Sequence, residues 1–493
     1  MKKKVFVIGS GYSGLSCAAF LAKSGMDVTI VEKNKDIGGR SRNFKSMGYV
    51  FDMGPSWYWM PEIFENFFNN FNYSTDDFYK LIQLDPGFKI IFDKEEISIP
   101  KNWDEICLLF EQFEKNGASK LSRFMEKAEE KYNIGLKFLY ESPGISFTEL
   151  LNKNILLKIH KLQLLSSYSN EVKKYFSNPL LIKILEFPVI FLGSDASNMP
   201  ALYTLMAYSG IKQGTFYPVG GFHKIIQAMQ KICCNYNVKF LKDEEVTKLN
   251  IVNRKVDSLT TKKGKYKCDY VVGSADYAHI ENSLLEKKYR NYSKKYWQKR
   301  TFSPSALLFY IGLNKKIDLK HHTLFFNQDI DQHTKELYEK KIWPTNPLFY
   351  VCCPSKTDLS VAPKGHENIF ILIPVTAGLE DSEKMRNKYF NIVISEIEKY
   401  LNENISKNID FKKSYCINDF VNDYNAYKGN AYGLANTVLQ TANLKPSILN
   451  KKIDNLFYTG QLTVPGPGVP PAIISGQIVA QHIIKKIENE RNI

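Results

Sequence analysis

Three glycines and one acid carry the first recognisable chemistry in this chain. Gly9-Ser10-Gly11-Tyr12-Ser13-Gly14 has the spacing G-x-G-x-x-G, and Glu32 follows about 20 residues on. Glycine at these places permits a tight turn, close approach of a pyrophosphate and close helix–strand packing. Glu32 can accept hydrogen bonds from a ribose hydroxyl, and its charge repels a 2′-phosphate, which disfavours NADP. A second cluster, Gly38-Gly39-Arg40, sets two small residues beside an always-charged planar fork suited to a phosphate.

The elements that must hold these groups surround them. Val5-Phe6-Val7-Ile8 reads as a strand, Leu15, Ala18, Ala19 and Ala22 have helical spacing, and Val28 to Val31 is a second strand ending at Glu32. Strand, glycine turn, helix, strand and acid make a Rossmann-like unit. Its helix N-terminus offers unpaired N–H groups and partial positive charge to phosphates. A dehydrogenase using a diffusing nicotinamide has no need of the second cluster, so the combination points to resident FAD held extended.

Composition narrows the class. The 493 residues, 44% hydrophobic and 13% aromatic, can build a large core and are expected to form two domains. Met1-Lys2-Lys3-Lys4 opens like a signal peptide, but the apolar run behind it is too short and leads into the glycine turn. The longest apolar stretch, Leu180 to Gly193, is interrupted by Lys183, Glu186 and Pro188, so no transmembrane helix is expected. Eight scattered cysteines without C-x-x-C suit neither a disulfide framework nor a zinc site, and read as reduced thiols of a cytoplasmic protein. His321-His322 cannot share a helix face, and no third ligand lies at a metal spacing, so no metal is expected. The net charge of +15 is mostly lysine. Arginine is scarce and no nucleic-acid motif is present, which discounts nucleic acid and keeps a membrane surface as a partner.

Further along, Tyr49, Phe51 and Met53 alternate as in a strand stopped by Gly54-Pro55, with Ser56 next. Trp57-Tyr58-Trp59 reads either as core or as a wall of an apolar pocket. Residues 62–200 have mainly helical spacing, and Leu150 to Leu165 and Leu180 to Leu192 read as membrane-surface or ordinary amphipathic helices. Short strands return at 238–241, 246–251, 255–261 and 269–272, then at 306–313 and 369–375, with a helix over 385–401. A strand at Leu456 to Thr459 ends at Gly460, and a helix begins near Pro470 or Pro471. The expected fold is α/β: a Rossmann-like FAD-binding domain assembled from 1–75, 215–280 and 453–493, with a mixed α+β substrate domain from 76–214 and 281–452 that carries the helical insertion.

With these parts in place, the chain resembles the bacterial and fungal phytoene desaturases, among the carotenoid desaturases and amine-oxidase-like flavoproteins. The resemblance spans nearly the full length. It rests on GSGYSG at 9–14, GGRSRNF at 38–44, GYVFDMGPSWYWMP at 48–61, FYPVGG at 216–221, NAYG at 430–433 and LFYTGQLTVPGPGVPPAIISG at 456–476. It departs from many amine oxidases at Gly460-Gln461, where they carry an acid after the glycine.

The resemblance implies FAD-dependent stepwise desaturation of 15-cis-phytoene to neurosporene- or lycopene-type products. A hydride goes to flavin N5, and electrons pass on to quinone or oxygen. It implies a long apolar polyene substrate and a cytoplasmic, peripherally membrane-associated protein. A related carotenoid desaturase, isomerase or ketolase, or a non-catalytic isoprenoid carrier of the same fold, are the alternatives. The candidate FAD contacts are Gly9, Gly11, Tyr12, Ser13, Gly14, Glu32, Lys33, Gly38, Gly39, Arg40, Gly54, Pro55, Ser56, Val246, Gly460, Gln461, Gly468, Val469 and Pro470. Trp57, Tyr58 and Trp59 are the candidate substrate contacts. No catalytic residue is assigned; Asp52, expected to close the Gly54-Pro55 turn, and His223, at a helix start, are the acid–base residues considered beside Glu32.

Overall fold

A computed structural model describes residues 2–141, 160–193, 195–441 and 444–491. Five parallel strands form one sheet, in the order Leu456–Tyr458, Tyr270–Gly273, Lys4–Ile8, Asp27–Val31, Lys239–Leu241. Val5, Val7, Ile30, Val271 and Val272 are fully buried, as strands covered on both faces require. The sheet thus draws on both ends of the chain and on its middle.

The second large sheet has seven strands. Its order is Ile409–Tyr415, Ser305–Leu313, Glu367–Val375, Phe349–Cys352, His322–Phe325, Phe88–Ile91, Glu96–Ile99. Neighbours are antiparallel except for His322–Phe325 beside Phe88–Ile91. Ser305–Leu313 and Glu367–Val375 are buried along their whole length.

The helical expectation for 62–200 fails at 81–99. Helix Pro61–Asn69 is followed by strands Leu81–Gln83, Phe88–Ile91 and Glu96–Ile99 before helices Trp103–Phe113 and Gly117–Glu141 resume. The reason is a period of two: Phe88 and Ile90 share one buried face with Ile91 buried on the other, and Ile97 and Ile99 alternate with exposed neighbours. Residues 180–192 fold as Pro179–Glu186 and Pro188–Leu192, and Leu181, Ile184 and Leu185 turn into the core. Most of the segment read at 150–165 lies outside the described residues; within it Leu162 is buried and Leu165 is 94% exposed. Among the described residues, no helix is long and apolar enough to cross a membrane.

Helix Tyr12–Lys23 and the last helix, Val469–Arg491, pack directly on each other. Ser16 Oγ donates to the Ile473 carbonyl at 2.8 Å. The approach is close because Gly476 carries no side chain: a Cβ there would lie 2.3 Å from the Ser13 carbonyl oxygen and 2.8 Å from the Cys17 nitrogen. Gly476→Ala is therefore expected to destabilise the fold by about 3 kcal/mol, read as a lower urea midpoint at unchanged m value. An unchanged midpoint would mean that the two helices do not meet this closely.

Candidate functional site

The carboxyl ends of the parallel strands open onto a cavity of about 540 Å3. Ligands of doubly wound sheets bind at such strand ends, and the volume suits a small-molecule site. The three glycines of the first turn differ in what they do. Gly9 has φ +102°, which favours glycine. Gly11 has an ordinary φ of −72°, but a Cβ there would meet nothing within 4 Å and would project into open space. Gly14 does not line the cavity; a Cβ there would lie 2.1 Å from the Gly9 carbonyl oxygen, so it sets the distance between helix and strand.

Helix Tyr12–Lys23 begins at Gly11 with no side-chain cap and no acid in its first turn. Its leading N–H groups are therefore free for an anion beside the cavity-lining Gly11, Tyr12 and Ser13. Glu32 lines the same end and is held on both oxygens. One accepts from Ser10 N (2.9 Å) and Ser10 Oγ (2.6 Å), the other from Asn34 N (2.9 Å) and Asn34 Nδ2 (3.1 Å). A ribose hydroxyl would share or replace one of these donors.

Arg40 lines the cavity, donates to the Asn430 carbonyl at 3.0 Å, and lies over the Tyr424 ring. Burial pushes its guanidinium below the ordinary value, while Tyr424 and Asp276 oppose that. Its Nε is shielded from solvent without a partner. A cradle above Gly11 that a Cβ would enter, an uncapped helix and an orphaned guanidinium nitrogen fit a phosphate-bearing cofactor. Lys33 also lines the cavity and donates to Asn425 Oδ1 at 3.0 Å.

The chain's far end closes the site. Gly460, Gln461, Gly468, Val469 and Pro470 all line the cavity, which therefore includes the N-terminus of the last helix. Gly460 N donates to Ser475 Oγ at 3.0 Å, and Gln461 Nε2 donates to Asn430 Oδ1 at 2.9 Å. A neutral amide stands where an acid was absent from the motif, and it joins Arg40 through Asn430. Gly38, Gly39, Gly54, Pro55, Ser56 and Val246 also line the cavity. Gly54 lies against Arg40, whose carbonyl oxygen a Cβ would approach to 2.5 Å.

The remaining walls are apolar. Trp57, Trp59, Phe187, Leu205, Leu308 and Leu372 line them. Trp59 Nε1 donates to Thr215 Oγ1 at 2.9 Å, and its ring lies over Gly210, where a Cβ would come within 2.6 Å of it. Tyr58 is not in the wall. It is fully buried, stacked on Phe64 at 4.2 Å, with its hydroxyl 2.9 Å from that of Tyr79. Side chains of an extended segment alternate, so residues 57 and 59 share a side that 58 cannot.

Neither Asp52 nor His223 lines the main cavity. Asp52 serves a helix rather than the Gly54-Pro55 turn: it accepts from Phe222 N (2.7 Å) and His223 N (3.2 Å) where helix His223–Asn235 begins. Gly221 makes room for that carboxylate, 2.4 Å from where its Cβ would stand. Burial raises the Asp52 carboxyl to about 7, and burial lowers the His223 imidazole.

Sequence reading missed Ser10, Asn34, Ser274, Asp276, Tyr350 and Asn430. All but Asn430 line the cavity. Asn430 links three of its groups, donating to Asp276 Oδ2 at 3.3 Å and accepting from Arg40 and Gln461. Ser274 and Asp276 carried a usable signal, since they closely follow the strand read at 269–272 in a segment assigned to the Rossmann-like domain.

Gly11→Val places a branched side chain in the open cradle without a backbone clash. The variant is expected to purify folded, with near-native circular dichroism and no bound flavin. Stoichiometric flavin in that variant would show that this loop does not hold the cofactor.

The family model for flavin containing amine oxidoreductase matches residues 12–484. The chain is 36% identical over 489 residues to a carotenoid 3,4-desaturase of Haloarcula japonica, covering 98% of each chain. It is 26% identical over 494 residues to a zeta-carotene-forming phytoene desaturase of Myxococcus xanthus, covering 98% of this chain and 94% of that one. An oxidoreductase structure from Methanosarcina mazei superposes with a TM-score of 0.63 at 16% identity, covering 97% of this chain and all of that one; this likeness concerns the fold. With its paired helix ends, glycine cradle and apolar walls, the chain belongs to the flavin-containing amine oxidoreductases and, within them, to the carotenoid desaturases, flavin-dependent enzymes acting on CH–CH bonds.

Proposed function

We propose that the chain is an FAD-dependent desaturase converting 15-cis-phytoene stepwise to neurosporene- or lycopene-type products. One observation supports this above the others: a single cavity joins a phosphate-type cradle to aromatic and aliphatic walls. Bound FAD supplies a hydride acceptor. In this reading the N-termini of helices Tyr12–Lys23 and Val469–Arg491 receive its anionic groups, Arg40 pairs with a phosphate oxygen, and Glu32 takes a ribose hydroxyl. Trp57 and Trp59 hold the polyene and exclude water. Positive charge developing beside a polyene is delocalised, so an apolar wall suffices to shape the site.

A C40 hydrocarbon dissolves in membranes rather than water, so the enzyme has to meet it there. Leu165 and Leu439 are 94% and 76% exposed, close in sequence to cavity-lining Leu164 and Thr441. These exposed leucines next to cavity-lining residues support peripheral membrane contact, with quinone or oxygen taking the electrons in this reading. A second reading, 3,4-desaturation of another carotenoid, is favoured by the 36% identity to a relative of that name.

Purified FAD-loaded protein mixed with phytoene-bearing membranes, under quinone or oxygen, is expected to yield products with longer conjugation. Conversion of other carotenoids but not phytoene moves the assignment to the second reading. No conversion of any carotenoid, with FAD bound, rejects both.

A further inference from the structure

Away from the cofactor cradle, three buried ligand-type side chains meet. We propose that His321, His322 and Cys352 form a binding site for one Zn2+ behind the aromatic wall of the main cavity. This reverses the expectation from sequence that no third ligand is available. The third ligand comes from the neighbouring strand. His322 and Cys352 are directly opposed in an antiparallel pair, and Cys353 N donates to the His321 carbonyl at 2.8 Å. One ligand atom from each of the three residues lies within 4.8 Å of the other two, and all three residues are buried.

Each imidazole is anchored on one side only. His321 Nδ1 is 2.7 Å from Thr357 Oγ1, and His322 Nδ1 is 2.6 Å from the Tyr350 hydroxyl. Both Nε2 atoms are shielded from solvent and have no partner. Two orphaned ring nitrogens in one cluster are costly unless something occupies the space between them. A ring held through one nitrogen and free at the other is how metal-bound histidines are oriented by their surroundings.

The donor set is two imidazoles and a thiol, which suits a borderline-soft cation of tetrahedral preference. A separate cavity of about 30 Å3, lined by His321, Cys352, Asp52 and Tyr217, adjoins the cluster and has room for one water as a fourth ligand. Binding requires the Cys352 thiol to give up its proton to solvent as the Zn–S bond forms. Its position gives the cation a structural task. The His322 ring stacks on Trp57 at 4.2 Å, and Tyr350 lies 3.0 Å from Ser56 Oγ. Trp57, Tyr350 and Ser56 line the main cavity. The cation would brace that wall from behind.

The test is a Zn2+ titration of the purified flavin-loaded protein against a chromogenic chelator, with Co2+ as an absorbing substitute. One equivalent of Zn2+ is expected, together with a thiolate-to-cobalt absorption band. Cys352→Ser should abolish the band and weaken binding by about 100-fold or more, and His321→Gln should weaken it similarly while retaining the thiolate. Cys234→Ser, which removes an exposed thiol, should change neither. No stoichiometric Zn2+, or affinity unchanged from the parent protein in Cys352→Ser and His321→Gln, overturns the site and leaves a buried water to serve the two nitrogens.

Discussion

The structure depends on how closely its first and last helices can approach. Gly14 lets helix Tyr12–Lys23 lie against the Gly9 turn, and Gly476 lets the C-terminal helix lie against Ser13 and Cys17. A side chain at Gly14 would push the first helix off its strand, and one at Gly476 would separate the two helices. Both begin at the same edge of the parallel sheet, so their N-termini line one cavity; the first presents free N–H groups there, whereas the last opens Val469-Pro470-Pro471, whose prolines carry no N–H. Segments more than 450 residues apart thereby make one end of the cavity, and the Ser16–Ile473 hydrogen bond ties them together.

Polar contacts around that end are shared rather than paired. Arg40, Asp276 and Gln461 converge on Asn430. Ser10 and Asn34 fix the Glu32 carboxylate from two sides. Groups held this way need little rearrangement to receive a ligand, which favours binding through preorganisation. The apolar end is built differently. Long buried strands supply Leu308 and Leu372, and the extended segment after Pro55 directs alternate aromatics to opposite sides.

Much of the glycine-lined end of the cavity was legible because its pattern is local. A glycine turn, its helix and its acid lie within Val5 to Glu32, and each residue type has a physical reason at its place. Gly11 shows this most plainly: its dihedrals would admit any residue, so its glycine reports a space to be left open. Asn430 was harder to read, because its value lies in joining residues distant in sequence. Strands at 81–99 were hidden between helices, and only their period of two separated them from a helical run.

The sequence by itself determined the Rossmann-like strand, glycine turn and helix, the α/β fold class and membership of a flavoprotein family, since each follows from residue types at short, fixed spacing. Tertiary structure alone decided that Tyr58 belongs to the core while Trp57 and Trp59 face the cavity, that Asp52 caps a helix, and that Cys352 stands opposite His322. Strand register is the physical reason. Pairing chooses which residues of two distant segments share a face, and a shift of one position sends every side chain to the other side.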